Sequence, residues 1–349
     1  MGKKKRGCCL YRIVGGLFLL ILVIGAIIGY KAYQKIYADN VKTSSGKIEM
    51  FIPTGSSYND LIAIMAKQQV LKDSASFTWV ANKMNLKNHI YPGRYVIDNN
   101  LSNRKLIEKL RGGLQTPVEV TFNNVRTKEE LAGKLGQMLE PDSIAFLNTM
   151  NNEEWLKTND FIKEDVVSVC LPNTYEFYWN TSTSKFFGRM KSEFDKFWND
   201  ERMAKAKKLG LTRREIITLA SIVEEETQKA DEKSRVAGVY VNRLAKGMKL
   251  QADPTVKFAV GDFTLKRILF KHLEEDSPYN TYMYTGLPPG PIRIPSAQSI
   301  DATLNKEDHK YIYFCAKDDF SGYHNFAVTY AEHLVNAKNY QNALNRLNK

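Results

Sequence analysis

The first pattern in the chain is a run in which polar positions vanish. Ile13 to Tyr30 reads IVGGLFLLILVIGAIIGY, eighteen residues without a charge. As a helix rising ~1.5 Å per residue it covers ~27 Å, close to the hydrocarbon thickness of a bilayer. Lys3, Lys4, Lys5, Arg6 and Arg12 stand before it. Short basic flanks stay in the cytoplasm, so residues 1–12 are expected as a cytoplasmic tail, 13–30 as a single transmembrane helix and the body as exported. No A-x-A site follows the apolar run, which favours a retained anchor over a cleaved signal peptide.

Beyond the anchor the pattern changes period. Residues 31–46 are polar, bear lysines and end in Thr-Ser-Ser-Gly, as a linker does. Ile48 to Ile52 suits a strand, and Pro53 to Gly55 a turn. Ser57 with Asp60 three residues on resembles a capping box, and Leu61, Ile62, Ile64 and Met65 give the following helix an apolar face. A helix is expected over 77–84, a strand at Tyr95-Val96-Ile97, and a short helix carrying Leu106, Ile107 and Leu110 that stops at Gly112-Gly113. These make a small α+β unit, 47–117. A larger α+β unit, 118–349, starts with the alternating strand Val118 to Phe122 and continues with helices around 127–138, 142–150 and 184–208.

One helix in the second unit carries candidate chemistry. Thr212-Arg213-Arg214-Glu215 is a capping box, so a helix should start at Arg213. At ~100° per residue, Ile216, Ile217, Leu219, Ala220, Ile222 and Val223 form one broad apolar face. Glu224 falls inside that arc, between Ala220 and Ile217. Glu225 falls opposite it and should be solvated. Glu226 lies near the other edge, between Leu219 and Ile222. A carboxyl group among apolar side chains has its charged form destabilised, so a raised pKa is expected for Glu224, as a general acid working near neutrality needs. The competing reading is a wet helix end.

Composition narrows the possible partners. The chain has 349 residues, 43% hydrophobic, enough for two folded domains after the anchor. Its formal charge of +12 favours polyanionic surroundings: nucleic acid, lipid headgroups or an acidic polymer. No basic helix with base-reading residues and no zinc-finger spacing occurs, so no nucleic-acid partner is expected. Cys8 and Cys9 precede the apolar run, open to acylation or left as thiols. Cys170 and Cys315 could form one disulfide or stay as buried thiols. There is no CxxC pair and no HExxH among the five histidines, so neither a metal nor a cofactor is expected.

From LASIVEEET (219–227) onward the sequence resembles the endolytic murein transglycosylases, the MltG (YceG-like) family. The likeness runs through RVAGVYVNRL (235–244), MKLQADPTV (248–256), YNTY (279–282), GLPPGPI (286–292), YIYF (311–314), and Gly322, His324, Phe326, Thr329, Glu332 and His333. LPNTY (171–175) resembles the family's LxPDTY segment, and unit 47–117 its LysM-like subdomain. Asn173, Arg293-Ile294-Pro295-Ser296 and Ala327 depart from the family pattern. The resemblance implies a catalytic α+β YceG-like domain in which Glu224 is the acid/base.

It also implies cleavage of the MurNAc–GlcNAc β-1,4 bond of nascent peptidoglycan strands, leaving 1,6-anhydroMurNAc ends. The site lies outside the cell (inner) membrane, with penicillin-binding synthases as partners. One carboxylate suffices for this chemistry because the substrate's own 6-hydroxyl is the nucleophile, and a well-oriented intramolecular attack has an effective molarity of ~10⁵ M or more. Gln251, Asp253, Tyr279, Asn280, Thr281, Tyr282 and His324 are expected substrate-binding residues. For Asp253 the alternative is a turn closed by Asp-Pro; for the Tyr279–Tyr282 segment it is a plain loop; for His324 it is a satisfied backbone carbonyl. Two other functions stay open: a muramidase using Asp253 as second carboxylate, and a non-enzymatic wall-binding scaffold.

Overall fold

The computed structural model of the chain describes residues 5–43, 46–265 and 267–347. Lys3, Lys4 and the linker residues Ser44 and Ser45 lie outside these, as do the side chains of residues 5–10. Two compact units divide the chain: residues up to Val118 together with Glu176–Asn180, and Glu119–Tyr175 together with Thr181 onward.

The first unit begins with α1 (Lys5–Tyr37) and continues through β1 (Lys47–Ile52), α2 (Tyr58–Lys67), α3 (Ser74–Lys83), β2 (Gly93–Asp98) and α4 (Asn103–Arg111). Within α1, Tyr11–Tyr37 is long and apolar enough to cross a membrane, and no part of its most apolar stretch is buried by protein. β1 and β2 pair antiparallel with Met50 opposite Tyr95. Their alternation turns Met50, Ile52, Tyr95 and Ile97 inward against Leu61, Met65, Phe77 and Leu106. The Ser57–Asp60 capping box forms as expected, with the Asp60 carboxylate accepting from the Ser57 N–H at 2.8 Å.

The expected linker over 31–46 needs correction. Its first seven residues continue α1 without a break, and Asn40 and Val41 are buried. The Asn103 Nδ2 donates to the carbonyl of Lys35 at 2.8 Å, and the Asn40 Nδ2 to the Asn103 Oδ1 at 2.7 Å. A polar composition suggested a solvated segment, but these side chains satisfy buried backbone groups that would otherwise be stranded.

Along the rest of the chain come β3 (Val118–Thr121), α5 (Lys128–Met138), α6 (Ser143–Met150), α7 (Glu153–Thr158), β4 (Thr174–Phe177), α8 (Thr183–Phe197), α9 (Asp200–Lys208), α10 (Arg213–Glu226), α11 (Lys233–Ala245), α12 (Asp253–Val260), α13 (Phe270–Leu273), α14 (Ala297–Leu304), β5 (Tyr313–Ala316), β6 (His324–Ala327) and α15 (Tyr330–Leu347), and all the helices among them belong to the second unit. The single helix expected over 184–208 is two, because Asn199 leaves the helical conformation and caps α9 by accepting from the Arg202 N–H. Among the described residues each sheet has two strands.

The helix α10 is the centre of this unit. All eight residues from Ile216 to Val223 are buried, and α9, α11, α12 and α14 pack around them. Leu219, Ile222 and Val223 join Val236, Tyr240, Leu250 and Ile292 in one core. On α11, a Cβ at Gly238 would stand 2.6 Å from the carbonyl oxygen of Glu307, so only glycine lets that segment approach. Cys170 and Cys315 are both free thiols, the first buried.

Candidate functional site

The last turn of α10 carries three consecutive carboxylates, Glu224, Glu225 and Glu226, at the negative end of a helix dipole. Thr227 leaves the helix in an extended conformation, so no later turn shares that charge. Successive residues point ~100° apart, and each carboxylate meets a different neighbourhood.

Glu224 is fully occupied. Its Oε2 accepts from the Ser296 hydroxyl at 2.6 Å, the Ser296 N–H at 3.3 Å and the Lys233 ammonium at 3.2 Å, and also from the Ser299 hydroxyl. Lys233 and Glu224 keep only 5% and 14% of their side chains exposed. Burial pushes the Glu224 carboxyl up, but the two serines and Lys233 outweigh it and hold the pKa below the usual carboxylate value. This corrects the expectation of a raised pKa: the apolar arc is there, but the groups completing the shell are polar.

Glu225 is not solvated as expected. It accepts from Arg126 at 2.7 Å and from Arg293 at 2.5 Å.

Glu226 has no cation bonded to it among the described residues. It accepts the Tyr240 hydroxyl at 2.5 Å. Burial pushes its pKa up to about 7, against the lowering effect of Tyr240, with the charges of Asp253 and Glu225 adding to the rise. Glu226 opens on a cavity of about 350 Å³ lined by Tyr240, Arg243, Gln251, Asp253, Tyr282 and His324, among others. That volume lies in the range of small-ligand sites. Larger depressions exist, one of about 470 Å³ at Asn148–Asn159, but it contains none of these groups.

The cavity wall is built by short-range bonds. Gln251 sits in the left-handed region, φ 51°, which aims its side chain back to accept from Arg243 at 2.5 Å. Asp253 opens α12 and accepts the Tyr282 hydroxyl at 2.6 Å. Burial, followed by Asp253, pushes the Tyr282 phenol pKa up, so the hydroxyl stays a donor. Burial also lowers the pKa of His333, whose Nδ1 is buried without a partner at the cavity edge. Among the described residues no group of three His, Cys, Asp or Glu side chains could hold a metal ion.

Residues 50–339 match the YceG-like family. The chain belongs to that family. It is 31% identical over 336 residues to the endolytic murein transglycosylase of Bacillus subtilis strain 168, covering 89% of each chain. It is 26% identical over 333 residues to the endolytic murein transglycosylase of Streptococcus pneumoniae strain D39, spanning 59% of that longer protein. A solved structure of a putative YceG-like protein from Listeria monocytogenes superposes with a TM-score of 0.56 at 28% identity, over 84% of this chain and 99% of that one.

The expected binding residues of this YceG-like chain separate into two groups. Gln251, Asp253, Tyr282 and His324 come together around the cavity. Asn280 and Thr281 do not: Asn280 is fully buried and donates to the carbonyls of Leu273 and Glu275, while Thr281 accepts from the Ala252 N–H and pairs with Thr255. Tyr279 packs against Phe258, ring centres 4.6 Å apart. The bonds and ring contact of these three are with the loop itself and the neighbouring α12 segment. The sequence reading missed Glu226, Tyr240 and Arg243 as cavity residues. The position of Glu226 at the edge of the apolar arc was the one available signal.

Proposed function

We propose that this chain is a membrane-anchored endolytic murein lytic transglycosylase whose acid is Glu226. The observation that carries the reading is the coincidence of a carboxyl with a pKa near 7 and a cavity shared with Gln251, Asp253, Tyr282 and His324. The relatives named endolytic murein transglycosylase supply the reaction class. A carboxyl protonated at neutral pH can hand its proton to the β-1,4 glycosidic oxygen between MurNAc and GlcNAc as that bond breaks. The sugar's own 6-hydroxyl then closes on the anomeric carbon, leaving a 1,6-anhydroMurNAc end, and its proton returns to the Glu226 carboxylate. Gln251, Asp253 and Tyr282 present hydrogen-bonding groups suited to sugar hydroxyls. Glu224 is instead a structural acceptor that stitches α10 to α11 and α14, since its charge is already met by Lys233, Ser296 and Ser299.

The exposed apolar surface of Tyr11–Tyr37 supports a retained anchor with the N-terminus inside, the body outside and nascent strands within reach. The small first unit is read as LysM-like and glycan-holding, and the penicillin-binding synthases that extrude nascent strands as partners. One observation favours a second reading: Asp253 places another carboxylate on the same cavity, as a muramidase needs.

Mass spectrometry of peptidoglycan digested by the full chain in detergent separates these. Anhydro ends, lost in Glu226→Gln and retained in a folded Glu224→Gln, are expected. Reducing ends would establish the hydrolase, and undiminished cleavage by Glu226→Gln would remove the acid role.

A further inference from the structure

The cavity wall holds one positive charge that no protein carboxylate answers. Arg243, in the last turn of α11, is 7% exposed and lines the cavity that Glu226 opens on. Its Nε donates to the carbonyl of Lys249 at 3.0 Å and its Nη2 to the Gln251 side chain at 2.5 Å. Both acceptors are uncharged. Among the described residues no carboxylate bonds this guanidinium, and its Nη1 makes no hydrogen bond. The two other carboxyls of the cavity are turned to phenols: Asp253 accepts the Tyr282 hydroxyl and Glu226 the Tyr240 hydroxyl. Burial pulls the Arg243 pKa down, yet a guanidinium stays charged near neutrality. A desolvated cation without a counter-charge lowers stability, and a ligand that brings an anion removes that penalty.

The surroundings leave the charge single. The Tyr313 ring lies 5.7 Å from the guanidinium, and His333 stacks on that ring at 5.3 Å. Burial and then Arg243 hold the His333 pKa down, so His333 adds no second charge beside it. A guanidinium has five N–H donors, and only two are used here.

We propose that Arg243 binds a substrate carboxylate and makes the cavity selective for the acidic appendage of the muramic-acid sugar. The proposal rests on the transglycosylase reading and deepens it. That sugar carries a lactyl ether on C3, close to the anomeric carbon of the scissile link. In a bare strand the lactyl group ends in a free carboxylate. In a stem-bearing strand it is amide-linked to a peptide whose own carboxylates follow. Either source offers the same chemistry, an anion with two acceptor oxygens, which suits the planar, forked donors of arginine. Glu226 in its acid form does not repel such a group, and Tyr282 already donates to the Asp253 charge. Arg243 is thus a substrate-binding residue, and it takes no proton in the reaction.

The test uses the full chain in detergent at pH 6 and scores total strand cleavage, whichever ends form. Uncrosslinked strands are supplied with stems intact, or bare after an amidase has removed the stems. Each is used as it is or after its carboxylates are converted to methylamides. A desolvated pair between guanidinium and carboxylate is worth about tenfold or more in affinity. We expect methylamidation to raise the wild-type KM by about that factor with kcat little changed. A rise with stem-bearing strands assigns the carboxylate to the stem, and a rise confined to bare strands assigns it to the lactyl group. Arg243→Gln should start from the higher KM and be blind to methylamidation, whereas Arg243→Lys should keep part of the discrimination. A guanidinium that only closes the turn at Lys249–Gln251 would leave the response to methylamidation untouched when replaced. A wild-type KM unmoved on both kinds of strand, or a folded Arg243→Gln that responds as strongly as the wild type, overturns the proposal. The wild-type arm needs no variant, so misfolding cannot hide the answer. The parent reading fails separately: undiminished cleavage by Glu226→Gln removes this cavity as the site and sinks both. An inactive Glu226→Gln beside a wild-type KM indifferent to methylamidation sinks the Arg243 role alone.

Discussion

Two faces of the same helical turn make opposite use of a glutamate. On the Glu224 face, a lysine and two serines meet the charge, and the carboxyl stays ionised. On the Glu226 face a single phenol is offered, and the carboxyl keeps its proton to about pH 7. Both side chains are desolvated. What separates them is how many donors surround each, so burial by itself does not identify an acid.

The largest test of that contrast is Glu226→Gln, which should lower formation of anhydro ends by 10²–10⁴-fold, read by chromatography of the digest. Glu224→Ala should instead act on stability. It strands the buried Lys233 ammonium, and breaking such a pair costs about 3 kcal/mol, a fall of roughly 6–12 °C in Tm by calorimetry. Glu226→Gln should also stabilise the protein above neutrality. The folded-state pKa of Glu226 is raised above the unfolded value, so its contribution is full below about pH 4.5 and is lost as pH rises through about 7. The variant removes that slope, and a Tm advantage worth about 2 kcal/mol at pH 8 should shrink towards pH 5. Smallest is Tyr240→Phe. The lost hydrogen bond was holding the Glu226 pKa down, so the falling limb of the activity–pH profile, expected near 7 in the wild type, should move upward by about half a unit. A downward move would mean that the phenol stabilises the protonated acid.

The start of α10 and its apolar face were legible because capping and periodicity are local: Thr212, Glu215 and the six apolar residues lie within twelve positions. The choice between Glu224 and Glu226 was not. It depends on Ser296 and Ser299, more than seventy residues away, which periodicity cannot see. The same limit applies to Asn280 and Thr281, polar residues in an aromatic-flanked segment that suggested sugar contacts. Their partners are backbone groups and, for Thr281, the distant Thr255 hydroxyl, and no local side-chain pattern announces those. Of the seven residues expected to bind substrate, Gln251, Asp253, Tyr282 and His324 line one cavity, and all four lie in segments that resemble the family's motifs. The seven positions following Tyr30 were misread because composition alone cannot tell a solvated segment from a helix end whose carbonyls are satisfied from a distant asparagine.

That helix end has a mechanical consequence. From Tyr30 to Tyr37 the apolar helix α1 rises another ~10 Å without a break, and Arg104 bonds its last tyrosine at 2.7 Å. The rest of the first unit is therefore mounted on α1 like a lamp on a post, without a swivel between them. With α1 seated in a bilayer, as proposed, tilting the helix would tilt that unit with it, and a glycine pair placed at Tyr30–Lys31 would uncouple the two.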